Sequence, residues 1–112
     1  MVQYSPNTDR AFAAISDPTR RGILDRLGRG DASITELAER FDMTLTGVKK
    51  HVQILEEAGL VATAKAGRVR TCRLGTQRLD GVTRWVLEYQ RMVDARNDRL
   101  AEFLERTKGE AL

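Results

Sequence analysis

Residues 44 to 74 read TLTGVKKHVQILEEAGLVATAKAGRVRTCRL, and the hydrophobic period changes once within them. Up to Ala58 the apolar residues Val48, Val52 and Leu55 are spaced by four and three, the period of an amphipathic helix that Thr44 or Thr46 can cap and Gly59 can stop. From Leu60 onward that period is lost. Val61 to Lys65 and Val69 to Leu74 are instead two strand-like runs around Ala66-Gly67-Arg68, which predicts a hairpin with glycine in its turn.

Just upstream, Ile34, Leu37, Ala38 and Phe41 recur at i, i+3, i+4 and i+7, and Asp42-Met43 separates that helix from the next. Two helices joined by so short a turn and followed directly by a hairpin predict a winged helix-turn-helix, mainly α with a small β-hairpin. Farther back, Asp17-Pro18-Thr19 sets an N-cap before a proline at the first helical position, opening a helix whose Ile23, Leu24 and Leu27 share a face and which Gly28 and Gly30 close. A first helix over residues 7–15 is capped from Asn7, Thr8 and Asp9 and ended by Ser16. The expected organisation is one domain over 1–112, with the helix-turn-helix and wing at 17–75 and a long helix at 77–108.

That last helix contains no proline and has an apolar stripe of Val82, Val86, Tyr89, Val93, Leu100 and Phe103, interrupted by Arg96 and widened by Trp85 and Met92. About 30 residues at about 1.5 Å each make a rod of roughly 45 Å, more than a small domain can cover. Either it folds back on its own domain or a partner chain covers it, and the length favours a partner chain.

Composition narrows the function. The 112 residues are 41% hydrophobic and 31% charged, as in an ordinary globular chain. No apolar run approaches the roughly 18 residues needed to span a bilayer, and Met1 to Pro6 has no signal-peptide pattern, so a cytoplasmic protein without membrane contact is expected. One cysteine, Cys72, and one histidine, His51, supply neither an internal disulfide nor a zinc site of Cys and His alone. With no glycine-rich phosphate loop either, an enzyme is not expected, nor is a cofactor. Scarce aromatic residues argue against RNA.

The net charge of +3 is unevenly spread: residues 1–43 sum to −1, residues 44–76 to +4 and residues 77–112 to 0. Every charged residue from Val61 to Gly75 is basic, which is the footprint of a polyanion-binding element. On a helical wheel with Val48 at zero, Val52 and Leu55 lie within roughly 40° of it, while Thr46, Lys50, Gln53 and Glu57 cluster at roughly 140–200° with Lys49 on the flank. Thr44, Thr46, Lys49, Lys50 and Gln53 are therefore the candidate DNA-binding residues of the second helix, and Lys65, Arg68 and Arg70 those of the wing, with double-stranded DNA as partner.

Other residues carry alternatives. Gly47 implies a close backbone approach, to DNA or to a neighbouring helix. His51 turns toward the buried side, for packing or capping. Cys72 is expected half-buried on a strand, with a redox-sensing thiol as the rival reading. Arg20 and Arg21 are placed to touch phosphate or to pair with Asp17 and Asp25.

The stretch Ser16-Asp17-Pro18-Thr19-Arg20-Arg21-Gly22-Ile23-Leu24-Asp25-Arg26-Leu27 resembles the opening of ArsR-family repressors, and His51-Val52-Gln53-Ile54-Leu55-Glu56-Glu57-Ala58-Gly59-Leu60-Val61 their recognition helix and the start of the wing. Gly67-Arg68-Val69-Arg70 and Trp85-Val86-Leu87-Glu88-Tyr89 extend the likeness in the same order. The resemblance implies a homodimer joined through the first and last helices, with Phe12, Val82, Trp85, Val86, Tyr89, Val93, Leu100 and Phe103 at the interface. It also implies repression from an operator, relieved by a signal, and leaves room for a small-molecule effector of unspecified chemistry. Metal-sensing relatives carry a cysteine pair in the helix matching Thr35 to Phe41, where this chain has none, so it resembles the branch without metal ligands. A winged helix that binds protein instead of DNA is the rival, and the basic wing weighs against it.

Overall fold

The computed structural model describes residues 6–110; the ends of the expected domain, residues 1–5 and 111–112, lie outside the described residues. Five helices and three short strands follow in the order α1 (Pro6–Ile15), α2 (Pro18–Leu27), β1 (Ala32–Ser33), α3 (Ile34–Arg40), α4 (Leu45–Glu57), β2 (Val61–Ala66), β3 (Val69–Leu74) and α5 (Asp80–Glu110). The chain divides into two compact units, one ending at Leu79 and one formed by α5.

Local chemistry sets each boundary in the first unit. Asp17 caps α2 by accepting the Arg20 N–H at 3.0 Å, with Pro18 in the first turn. Ser33 and Glu36 form a reciprocal capping box at the start of α3. The helix-turn-helix corner is made by Asp42 at φ 52, with the Met43 N–H reaching back to Ala38 O at 3.0 Å and the Asp42 N–H to Glu39 O at 3.3 Å. This pattern ends a helix through one left-handed residue. Gly59 repeats it at the end of α4, with φ 77 and the Leu60 N–H on Leu55 O at 2.9 Å. In the hairpin, Ala66 pairs with Val69 across a two-residue turn, and Gly67 takes φ 62 there.

One core joins these elements. Ile23 of α2, Leu37 of α3, Val48 and Leu55 of α4 and Cys72 of β3 are fully buried, and Leu24, Phe41, Met43 and Leu79 pack at its margin. Cys72 is thus more deeply buried than the half-buried strand position expected for it. The cause is β1, a strand of two residues too short to carry a periodic signal: it pairs with β3 (Ala32 opposite Cys72), making a three-stranded sheet in the order β1-β3-β2 and closing over the cysteine. Helix α5 begins at Asp80 rather than at residue 77, because Gln77 donates its N–H to Gly59 O at 3.4 Å and Leu79 packs on the core.

Along α5 the residues Trp85, Val86, Tyr89, Met92, Val93, Leu100, Phe103 and Leu104 are exposed. Trp85 and Tyr89 stack with ring centroids 5.6 Å apart. Val82, at 8% exposure, is the buried member of the stripe.

Candidate nucleic-acid interface

Between α4, the start of α3 and the wing lies a groove of about 690 Å³. Leu45, Lys49 and Gln53 line it from α4, spaced i, i+4 and i+8 on one ridge, while Lys65, Arg68, Val69 and Arg70 line it from the wing. Five of the eight candidate DNA-binding residues, Lys49, Gln53, Lys65, Arg68 and Arg70, are therefore brought together by the fold. Four of the five are cations, so the groove concentrates positive charge. Thr46 and Lys50 are exposed on α4 outside this lining. Thr44 is spent in part on the helix itself, since its hydroxyl oxygen accepts the Gly47 N–H at 3.0 Å and thereby acts as the cap that either threonine could have supplied.

Polar interactions tune the groove. The Thr63 hydroxyl donates to Glu56 Oε2 at 2.7 Å, and Arg70 donates to the same hydroxyl at 3.3 Å, so a chain of hydrogen bonds straps the wing to α4. Glu56 lines the groove as a carboxylate among cations, a role that sequence reasoning missed because nothing local marks the strand residue it meets. Gln53 donates its amide to Glu57 at 3.3 Å in an exposed bond one turn along the helix.

Leu45 was missed as well. Its spacing to Val48, Val52 and Leu55 continues the apolar series, yet at 48% exposure it stands in the groove instead of the core. At Gly47 an added Cβ would meet Met43 Cε and Thr44 Oγ1, each at 3.2 Å. The close approach there is to the helix's own cap region and not to a neighbouring helix.

Arg20 and Arg21 are both engaged at the end of α1. Arg20 donates to Ala14 O at 2.8 Å and Ala13 O at 2.9 Å, and Arg21 to Ile15 O at 2.7 Å, so both satisfy the last carbonyls of α1. His51 is inward: its side chain is 19% exposed and its Nδ1 lies 3.1 Å from Arg20 and 3.9 Å from Asp17. The backbone N–H of Arg20 pulls the Asp17 carboxyl below its ordinary value; partial burial opposes this, and His51 and the Arg20 guanidinium add to the pull. Burial pushes the Cys72 thiol up, Glu56 adds to the rise and Arg70 opposes it, which leaves a protonated and enclosed sulfur. Among the described residues, no three His, Cys, Asp or Glu side chains gather where they could hold a metal ion, and no helix is long and apolar enough to cross a membrane.

A recognition helix beside a basic β-hairpin, on a helix-turn-helix frame, defines a winged helix-turn-helix regulator that binds DNA to control transcription. Residues 15–64 match the family model described as a helix-turn-helix domain. The chain is 35% identical over 81 residues to the transcriptional repressor SdpR of Bacillus subtilis, covering 72% of this chain and 90% of that protein. It is 32% identical over 98 residues to the regulator Rv2034 of Mycobacterium tuberculosis, covering 80% and 92%. Among solved structures, an ArsR family transcriptional regulator superposes with a TM-score of 0.72 at 42% identity, over 84% of this chain and 97% of that one. An ArsR-like regulator from Rhodococcus sp. RHA1 gives a TM-score of 0.72 at 32% identity, over 88% and 91%. The chain belongs to the ArsR family of transcriptional regulators.

Proposed function

We propose that this regulator is a cytoplasmic repressor that acts as a homodimer on a palindromic operator, placing α4 in the major groove while the wing holds the adjacent backbone. The observation that carries this reading is the groove itself, in which Lys49, Lys65, Arg68 and Arg70 face one space with Gln53. Lysine and arginine on phosphates supply affinity without sequence preference, and an amide among them supplies base discrimination. Repression is carried over from SdpR, whose name describes a transcriptional repressor. The relatives SdpR and Rv2034 are named as transcriptional regulators, which supports reading this protein as a regulator and not an enzyme.

Self-association rests on α5. A 31-residue helix is about 46 Å long, and exposed Val86, Tyr89, Val93, Leu100 and Phe103 repeat along it at steps of three, four and seven. So long an apolar face on a monomer invites a second copy, because identical stripes are complementary to one another. Phe12 of α1, half-buried, is the interface residue that the family resemblance adds from the first unit.

Selection of bound fragments from random duplexes at two salt concentrations tests the reading. The expected product is an imperfect palindrome with half-sites about 34 Å apart or a multiple of that distance, enriched most strongly at the higher salt. A pool that stays random at both concentrations would leave a basic surface without sequence readout and would sink the operator proposal.

A further inference from the structure

We infer that Leu45 is a specificity-determining residue, packing on the 5-methyl group of a thymine in each operator half-site. The inference rests on the major-groove docking of α4 proposed above and goes beyond the polar interactions considered there. Leu45 is the first residue of α4, and the first residues of a recognition helix are those that meet base edges. It is 48% exposed although its spacing to Val48, Val52 and Leu55 would suit the core, and it lines the groove on the same ridge as Lys49 and Gln53.

The chemistry of the major groove leaves such a side chain one favourable partner. Base edges there present hydrogen-bond donors and acceptors, which a leucine can only desolvate, and the thymine methyl, which it can cover. The neighbours on the ridge divide the remaining chemistry, an ammonium for guanine or phosphate and an amide for adenine. Four residues of helix advance about 6 Å, so Leu45 and Gln53 stand about 12 Å apart. At roughly 3.4 Å per base pair this places the thymine within about four pairs of the position that Gln53 reads.

The test uses the full chain and the duplex chosen by the selection above. Each thymine is replaced in turn by deoxyuridine, which removes the methyl and keeps every hydrogen bond, and affinities are measured for the wild type and for Leu45→Ala. Alanine is tolerated at an exposed helix start, and the wild-type arm needs no variant at all. The expected result is one thymine per half-site whose replacement weakens wild-type binding about fourfold, the effect of uncovering one buried methyl-sized group, with no loss at that position in Leu45→Ala. The inference is overturned if the selected half-site lacks thymine, if no replacement weakens the wild type, or if the loss persists in Leu45→Ala. A selection that enriches no sequence would overturn the docking proposal together with it, whereas an enriched site indifferent to deoxyuridine overturns this inference alone.

Discussion

Arg20 places one guanidinium nitrogen 3.1 Å from Nδ1 of His51 while its other nitrogens hold the carbonyls of Ala13 and Ala14, so a single side chain of α2 joins the end of α1 to the middle of the recognition helix. Arginine donates at every nitrogen, so this contact is a hydrogen bond when Nδ1 is the accepting nitrogen of the ring. Truncation to Arg20→Ala removes these bonds in a half-buried setting and is expected to cost on the order of 1–3 kcal/mol of stability, read by urea denaturation. Arg20→Lys should restore part of it, because an ammonium lacks the planar fork. The salt dependence of DNA binding should not change in either variant, as Arg20 is engaged within the protein. A shallower salt slope in Arg20→Ala would show that Arg20 touches phosphate after all.

Asp17 predicts how the fold responds to acid. Its carboxyl, drawn below its ordinary value chiefly by the Arg20 N–H, favours the folded state when ionised. A folded value below the unfolded one means that the stabilisation is fully present above the ordinary aspartate range and is lost as pH falls through the lowered value. Asn keeps the capping oxygen without the charge. Asp17→Asn should therefore melt below the wild type near neutral pH, and the gap should close as pH drops through and below about 4. If Asp17→Asn melts with the wild type at every pH, the cap is all that Asp17 provides.

The cap at Asp17 and the amphipathic series through Leu55 show why so much of the fold was legible: each depends on residues within one or two turns of each other, and such local rules agree with the packing they lead to. β1 was not legible, because two residues carry no period and Ala32–Ser33 becomes a strand only when β3 lies beside it. The same distinction divides the site. The basic wing could be read from the charge pattern, and the turn at Gly67 from its residue type. The Glu56–Thr63–Arg70 chain and the exposure of Leu45 arise where the wing folds against α4, and no spacing within either element contains that juxtaposition. Arg20 shows the same limit, since its bonds to the carbonyls of Ala13 and Ala14 exist only because α1 ends within its reach.

Cys72 should be inert in the folded protein. Its sulfur is enclosed between β1 and β2 on β3, and burial holds the thiol protonated at neutral pH. A thiol-specific reagent is expected to leave it unmodified until denaturant is added, and mild oxidant should not alter DNA affinity. Cys72→Ser should lower stability by about 1–3 kcal/mol by burying a more strongly polar group. Stoichiometric modification under native conditions would revive the redox-sensing alternative.

Association through α5 predicts a mass of twice the chain in sedimentation at micromolar concentration. Leu100 and Phe103 are 55% and 56% exposed, so the double change Leu100→Asp, Phe103→Asp costs the single chain little and places carboxylates in the proposed seam. The variant should sediment as a folded monomer and lose most operator affinity, because one half-site no longer holds the other. A folded monomer already in the wild type would refute the seam.

The wing and the recognition helix should separate in their response to salt. Gln53 offers an amide to base edges, and Gln53→Ala should relax preference at one or two base pairs per half-site, by roughly 1–3 kcal/mol for each bidentate amide–base pairing it abolishes. Arg68 sits beside Gly67 at the exposed tip of the hairpin, and the proposed docking assigns its guanidinium to backbone phosphate rather than base edges. Arg68→Ala should therefore weaken specific and random duplexes by nearly the same factor, and flatten the dependence of log K on log salt by about one unit for each phosphate left unneutralised, about two per dimer. Gln53→Ala should leave that slope in place, since an uncharged side chain releases no counterion. Titrating both variants on both duplexes separates the two roles. If Arg68→Ala binds with unchanged slope and affinity, the wing does not touch DNA, and the cations of the groove must serve some other anion.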